Sequence, residues 1–337
     1  MPLKTLQTLI TKNKLDGLLL HWRDPTFIWL IQERRDACLF IPKKGKPLLF
    51  QSPLSNYKGN FKTITLKNKN TIKNHLKNKK LGINGDYLTL TQANKIKKFA
   101  KTKNLSKPLS TIRAIKTTKE LQIIKKLAKT TDTILKKLIK NFKFKHEKEI
   151  QLFLKTEIAK HQAIPSFDPI VASGKSAAIP HYTGSKPLRR GFLIIDFGIK
   201  KSGYCTDITR TFFIGTPTQK EKELYTVVLN AQKTGIQHAT PGTHANQLDK
   251  IVRTQLGSLE KLFTHATGHG LGIKVHEYPP ISSKSRAILK QNMVITIEPG
   301  IYNPQKGYGI RIEDDIIIKK SPEILSKTPK RLLAFNI

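Results

Sequence analysis

Two apolar runs in this chain end on a carboxylate, and that pattern constrains the fold more than any other feature of the sequence. Leu193-Ile194-Ile195-Asp196-Phe197-Gly198 passes through three aliphatic residues into an aspartate and then a glycine. Val294-Ile295-Thr296-Ile297-Glu298-Pro299-Gly300 repeats the form with a glutamate. A buried strand rarely keeps an unpartnered carboxylate, because the charge loses its hydration. Each run is followed by a second acid in an apolar setting. Asp207 lies eleven residues after Asp196, in Gly203-Tyr204-Cys205-Thr206-Asp207-Ile208-Thr209-Arg210-Thr211. Glu313 lies fifteen residues after Glu298, in Arg311-Ile312-Glu313-Asp314-Asp315. Gly198 and Gly203 let the first segment turn back on itself. The pattern predicts two strand–turn–strand units, each able to point two carboxylates inward. Residues 116–337 hold only 18 acidic residues, so four at such apolar sites are not a chance placement.

A histidine segment lies between the two units. It reads His265-Ala266-Thr267-Gly268-His269-Gly270-Leu271-Gly272, followed by His276-Glu277-Tyr278-Pro279. Glycines on both sides of His269 permit close backbone approach. Alone, His269 reads as structural; gathered with four carboxylates, it reads as a ligand. Four crowded carboxylates repel one another and hold protons unless cations neutralise them. Two divalent cations balance the four negative charges. An oxygen-rich set with one imidazole suits manganese, cobalt, iron or zinc. The two cysteines, Cys38 and Cys205, form no paired thiolate motif. Two metals a few ångströms apart can share a water and ionise it near neutral pH.

The rest of the chain sets the frame. Its 337 residues suggest two domains. Residues 1–110 read as a small α/β domain. It has helical spacing over 6–14, a buried strand at 17–20, and a hairpin of 38–42 and 47–51 around Lys44-Gly45-Lys46. A polar helix or loop at 71–80, a strand at 81–83 and a helix at 91–102 complete it. His21, in His21-Trp22-Arg23-Asp24-Pro25, reads as a strand-end histidine before a turn and receives no catalytic role. Beyond Thr111, apolar spacing predicts helices over 115–138 and 150–161, then short strands punctuated by glycine. Helices return at 219–238 and 245–256, and strands at 294–298 and 310–318.

The net charge of +38 is spread over the chain. Residues 1–115 hold 24 basic and 5 acidic residues, and the remainder 37 and 18. Lysine supplies 50 of the 61 basic residues, whereas nucleic-acid readers lean on the planar fork of arginine. The excess therefore reads as a bias of solvated faces, with only weak, non-specific, salt-sensitive binding to nucleic acid. No apolar run approaches the ~20 residues of a membrane span, and the start does not read as a signal peptide. With the sparse cysteines, this predicts a cytoplasmic setting.

Together the carboxylate and histidine segments resemble the creatinase/prolidase/methionine-aminopeptidase family of metallopeptidases, over most of residues 111–337. Residues 1–110 are similar in position and size to the amino-terminal domain of aminopeptidase P and prolidase. The resemblance implies an α+β fold, with a pita-bread catalytic domain at 111–337 preceded by the smaller α/β domain at 1–110. It implies that Asp196 chelates one metal, that Asp207 and Glu313 bridge two, and that His269 and Glu298 hold the second. Glu298 would also act as general base for a metal-bridging hydroxide. His276 would stabilise the oxyanion, and His181, in Ile179-Pro180-His181-Tyr182, would lie over the substrate and shuttle protons. Arg311 would hold the carboxylate network in place. Manganese is the first expectation for the metal, with cobalt, iron or zinc as alternatives. Ser176 departs from the asparagine that family members often carry there, which bears on substrate preference rather than on the metals.

Within that family, the extra domain and Arg311 argue against a methionine aminopeptidase, and the complete ligand set argues against creatinase. Aminopeptidase P, cutting peptides with proline at the second position, is the first reading. Prolidase, acting on Xaa-Pro dipeptides, is the alternative. The sequence shows no carboxylate clamp, and Pro280 stands where an arginine would favour prolidase. A non-catalytic polyanion-binding protein on the same fold is the third reading. A homodimer is implied by resemblance alone.

Overall fold

The computed structural model describes residues 2–32, 36–57, 59–68 and 70–336. The chain divides into two compact units, Met1–Arg113 and Ala114–Ile337.

The first unit is built on a six-stranded sheet. In spatial order the strands are Lys62–Thr65, Leu48–Gln51, Ala37–Pro42, Gly17–His21, Lys80–Ile83 and Lys101–Asn104. The apolar run Leu18–Leu20 is buried at its centre, antiparallel to Ala37–Pro42 and parallel to Lys80–Ile83. Two expectations need correction. The helix expected over 91–102 ends at Lys97, and Lys101–Asn104 is instead a strand parallel to Lys80–Ile83. Lys101-Thr102-Lys103-Asn104 has no apolar alternation, so backbone pairing with a buried neighbour decides its conformation. Asp24-Pro25 is not only a turn. Asp24 Oδ1 accepts from Thr26 N at 2.7 Å and Pro25 opens the helix Pro25–Ile31. His21 ends its strand with Nε2 3.1 Å from Gln92 Nε2.

The second unit carries four long helices, Thr118–Lys140, Glu147–Lys160, Gln219–His238 and Ala245–Gln255. The first starts three residues later than its apolar spacing suggests. Thr117 accepts from Glu120 N while Glu120 accepts from Thr117 N, a reciprocal cap that fixes the start.

The centre of this unit is a pair of long hairpins, each interrupted midway. In one, Gly191–Phe197 pairs antiparallel with Ile208–Ile214, and beyond the break Ile199–Lys201 pairs with Tyr204–Cys205. In the other, Val294–Ile297 pairs with Asp314–Ile317, and beyond the break Gly300–Asn303 pairs with Tyr308–Arg311. The single strand expected over 310–318 is thus two strands in different sheets, parted at Ile312-Glu313. The break is invisible in a run of isoleucines because both halves are equally apolar. The hairpins are stitched to each other across their breaks. Thr211 Oγ1 donates to Arg311 O at 2.7 Å and accepts from Arg311 N at 3.1 Å, and Glu313 N donates to Thr209 O at 3.1 Å. Among the described residues, no helix is long and apolar enough to cross a membrane.

Candidate metal centre

The interruptions position the acids. Asp196 is the penultimate residue of Gly191–Phe197, opposite Thr209. Asp207, Glu298 and Glu313 each fall in a gap between two strand halves. There the backbone leaves the ladder, and side chains no longer alternate between the faces of a continuous sheet. His269 is the middle residue of Gly268–Gly270, a short strand between Glu277–Ile281 and Val294–Ile297. Glycine is required here for closeness. A Cβ at Gly198 would collide with the Thr206 carbonyl, and one at Gly268 with the Thr296 carbonyl.

All five side chains meet in one cavity of about 610 Å³, within the second unit. One ligand atom from each of Asp207, His269 and Glu313 lies within 4.8 Å of the others. His269 Nε2 stands 3.3 Å from Glu298 Oε1 and 3.7 Å from Asp207 Oδ2. Three buried oxygens, Asp196 Oδ1, Asp207 Oδ1 and Glu313 Oε1, have no hydrogen-bond partner. Buried acceptors left this way are costly unless a cation takes them.

The electrostatics point the same way. Burial, followed by the charges of Glu313, Asp196, Asp315 and Glu298, raises the Asp207 carboxyl well above its usual range. Glu313 is raised by burial and by Glu298 and Asp196. Glu298 is pushed up to about 8, by burial and Asp196 against the opposing pull of Arg311. Burial, with the charge of His276, lowers His269 to about 3. Its imidazole is therefore neutral, the form that binds a metal. Paired oxygens in excess of cations, around one neutral imidazole, fit divalent metal ions.

Arg311 is buried inside this network rather than forming a surface ion pair. Its Nη2 donates to Asp196 Oδ2 at 2.6 Å, its Nη1 to the Tyr302 hydroxyl at 2.7 Å and to Pro180 O at 3.2 Å, and its Nε to Thr209 Oγ1 at 3.2 Å. The Pro180 contact fixes the turn that carries His181 to the cavity wall. His276 faces the same cavity, its ring centroid 4.2 Å from that of His269 at 72°. Ser176 is buried in a short turn and is not among the cavity-lining residues.

Sequence reasoning missed several supports. Tyr302 accepts from Arg311 and lies 2.9 Å from His265 Nε2, and His265 Nδ1 lies 2.9 Å from Ala266 O, so Arg311, Tyr302 and His265 form one buried chain. No spacing links residues 265, 302 and 311. Thr209 Oγ1 donates to Glu313 Oε2 at 2.7 Å, and Thr296 Oγ1 donates to Glu298 Oε1 at 3.0 Å. Asp315 accepts from Asp207 N at 2.9 Å. Thr296, a hydroxyl within an aliphatic strand beside an acid, was the one signal available.

Residues 122–320 match the model of metallopeptidase family M24. The chain is 35% identical over 318 residues to the Xaa-Pro dipeptidase of Pyrococcus furiosus, covering 90% of this chain and 88% of that protein. It is 39% identical over 258 residues to a putative Xaa-Pro aminopeptidase of Mycoplasma genitalium, covering 74% of this chain and 72% of that one. The crystal structure of the prolidase from Pyrococcus horikoshii OT3 superposes with a TM-score of 0.92 at 32% identity, covering 98% of this chain and 99% of the other.

Proposed function

The chain belongs to metallopeptidase family M24, and from that premise we propose that it is an Xaa-Pro dipeptidase holding two divalent cations on Asp196, Asp207, His269, Glu298 and Glu313. This reverses the order in which the sequence ranked aminopeptidase P and prolidase. The observation that carries the reversal is likeness along the whole chain to proteins named as Xaa-Pro dipeptidase and prolidase. Proteins named as X-Pro aminopeptidases also match, one over 74% of the chain and a solved one from Thermotoga maritima over 96% of it, the latter at a lower identity of 27% and a TM-score of 0.86.

The bond to be cut is a tertiary amide whose nitrogen carries no hydrogen. Bound at the carboxylate cluster, two divalent cations supply Lewis acidity for the carbonyl and lower the pKa of a water. The protein supplies the proton traffic. Glu298 accepts a proton as water adds to the carbonyl carbon, and returns it to the proline nitrogen as the C–N bond breaks. His276 donates to the oxygen that gains negative charge, and His181 carries protons at the substrate face. Arg311 holds Asp196 in register, itself braced by Tyr302 and Thr209. Manganese is the first metal to test.

Protein loaded with manganese should release proline from Ala-Pro, lose the activity on chelation and regain it when manganese returns. Ala-Pro-Gly-Gly should be cut at under about a tenth of the rate, since a site built around a free carboxylate rejects its amide analogue. Faster cleavage of the tetrapeptide would restore the aminopeptidase reading. No metal-dependent cleavage of either peptide would leave the polyanion-binding reading standing.

A further inference from the structure

A dipeptide differs from a longer peptide at the cavity by one group, the free carboxylate on the proline. Three side chains with a permanent positive charge line the cavity: Arg311, Lys155 and Lys148. Two are already committed. Arg311 is spent on Asp196, Tyr302 and Pro180. Lys155 Nζ lies 2.7 Å from Asp168 Oδ1. Among the described residues, Lys148 has no carboxylate within 4.0 Å of its ammonium.

None of the acids near Lys148 forms an ion pair with it. Glu147 is buried and turned inward, accepting from Ser173 N at 2.8 Å and Lys186 N at 2.7 Å. Glu149 accepts from Lys145 N at 2.8 Å and His146 N at 3.2 Å. Asp168 senses the charge of Lys148 but is held by Lys155. Lys148 also stands in the first turn of Glu147–Lys160, where a cation works against the helix dipole and adds nothing to helix stability. The residue is exposed and lines the cavity. Lys148, Gln151 and Lys155 share one helix face, and that face borders the cavity.

Resting on the dipeptidase reading, we propose that Lys148 is the specificity-determining residue of this enzyme, binding the free carboxylate of the substrate proline. Pro280 also lines the cavity and offers no charge, which leaves the helix wall to supply a cationic contact. A lysine here is a point charge on a flexible stem, suited to a carboxylate whose position varies with the first residue of the dipeptide.

The test uses the manganese-loaded full chain with Ala-Pro, Ala-Pro-amide and the product proline. Wild type should prefer Ala-Pro to its amide through KM. Lys148→Gln should raise KM for Ala-Pro by at least about fivefold, the scale of one partly exposed charge pair, and leave kcat nearly unchanged. It should leave KM for the amide unchanged and weaken inhibition by proline to the same extent. Lys148→Arg should keep the preference. If Lys148→Gln retains the full preference for the acid, or weakens acid and amide equally, the assignment of Lys148 is wrong while the dipeptidase reading stands. If wild type shows no preference for the acid, the dipeptidase reading fails, and the role of Lys148 fails with it.

Discussion

Asp207, Glu298 and Glu313 are held where ionisation is opposed by burial and by neighbouring carboxylates, Asp196 acting on all three. That has a measurable consequence for metal-free protein. In the unfolded chain these acids ionise near their ordinary values of about 4. In the folded chain they ionise later, so over the interval between the two the folded state binds more protons and stability falls as pH rises. For Glu298 the interval runs from 4.5 to about 8. His265 and His269, lowered to about 3 by burial, act in the opposite sense until pH passes 6.5, so the carboxylates show alone only above that: the melting temperature of metal-free protein should fall by at least about 1 °C between pH 7 and 8, and divalent cation should reverse the fall. A melting temperature that climbs over that range without metal would contradict the crowding of carboxylates. Glu298→Gln separates chemistry from stability in the same region. It removes the proposed proton carrier, one proposed metal-ligand oxygen and one negative charge while keeping the shape. Turnover should drop about 10²–10⁴-fold, while metal-free protein becomes more stable near pH 8.

At the scale of elements, the interrupted hairpin is the device that makes the site. A continuous hairpin would send neighbouring side chains to opposite faces; the breaks at 198 and 206–207, and at 298–299 and 312–313, release the acids from that rule. Close strand approach at the break depends on glycine. Gly198→Ala would press a methyl against the Thr206 carbonyl, next to Asp207. The expected result is manganese affinity weakened about tenfold or more with the far-ultraviolet circular dichroism unchanged, measured by titration calorimetry. Unchanged affinity would mean that the segment carrying Asp207 can shift at no cost to the ligands. Below the site, Asp314 is bound by Arg210 at 2.7 Å and Lys330 at 2.6 Å, and Arg210 Nη1 donates to Glu313 O at 2.6 Å. Despite full burial, these two cations keep the Asp314 carboxyl below its usual range. Removing one partner of such a buried set is strongly destabilising, so Asp314→Asn should cost about 3–5 kcal/mol in urea unfolding at neutral pH. Because the folded value is depressed, the stabilisation is present above the ordinary carboxylate range and is lost as pH falls through the folded value.

For the whole molecule, the charge of +38 is the property left outside the catalytic proposal. Spread over both parts of the chain and carried mainly by lysine, it favours diffuse attraction to polyanions over readout of sequence. Binding to a DNA duplex should be weak at physiological salt and fall steeply as salt rises from about 50 to 200 mM. Tight binding that survives the higher salt would point to a dedicated nucleic-acid surface.

The sequence alone singled out the residues of the candidate site. Asp196 and Glu298 at the ends of apolar runs, and His269 between glycines, are legible because burying such groups costs too much to occur without a purpose. Long helices such as Gln219–His238 were legible for a different reason, the spacing of their apolar residues. Only the tertiary structure decided how these residues meet. The split of 310–318 into two strands, and the chain from Arg311 through Tyr302 to His265, depend on pairings between segments far apart in sequence. So does the uncommitted state of Lys148, which rests on Glu147, Glu149 and Asp168 each being spent elsewhere. Spacing records what one segment must bury; it does not record which partner satisfies a charge, because that is settled by three-dimensional neighbours competing for it.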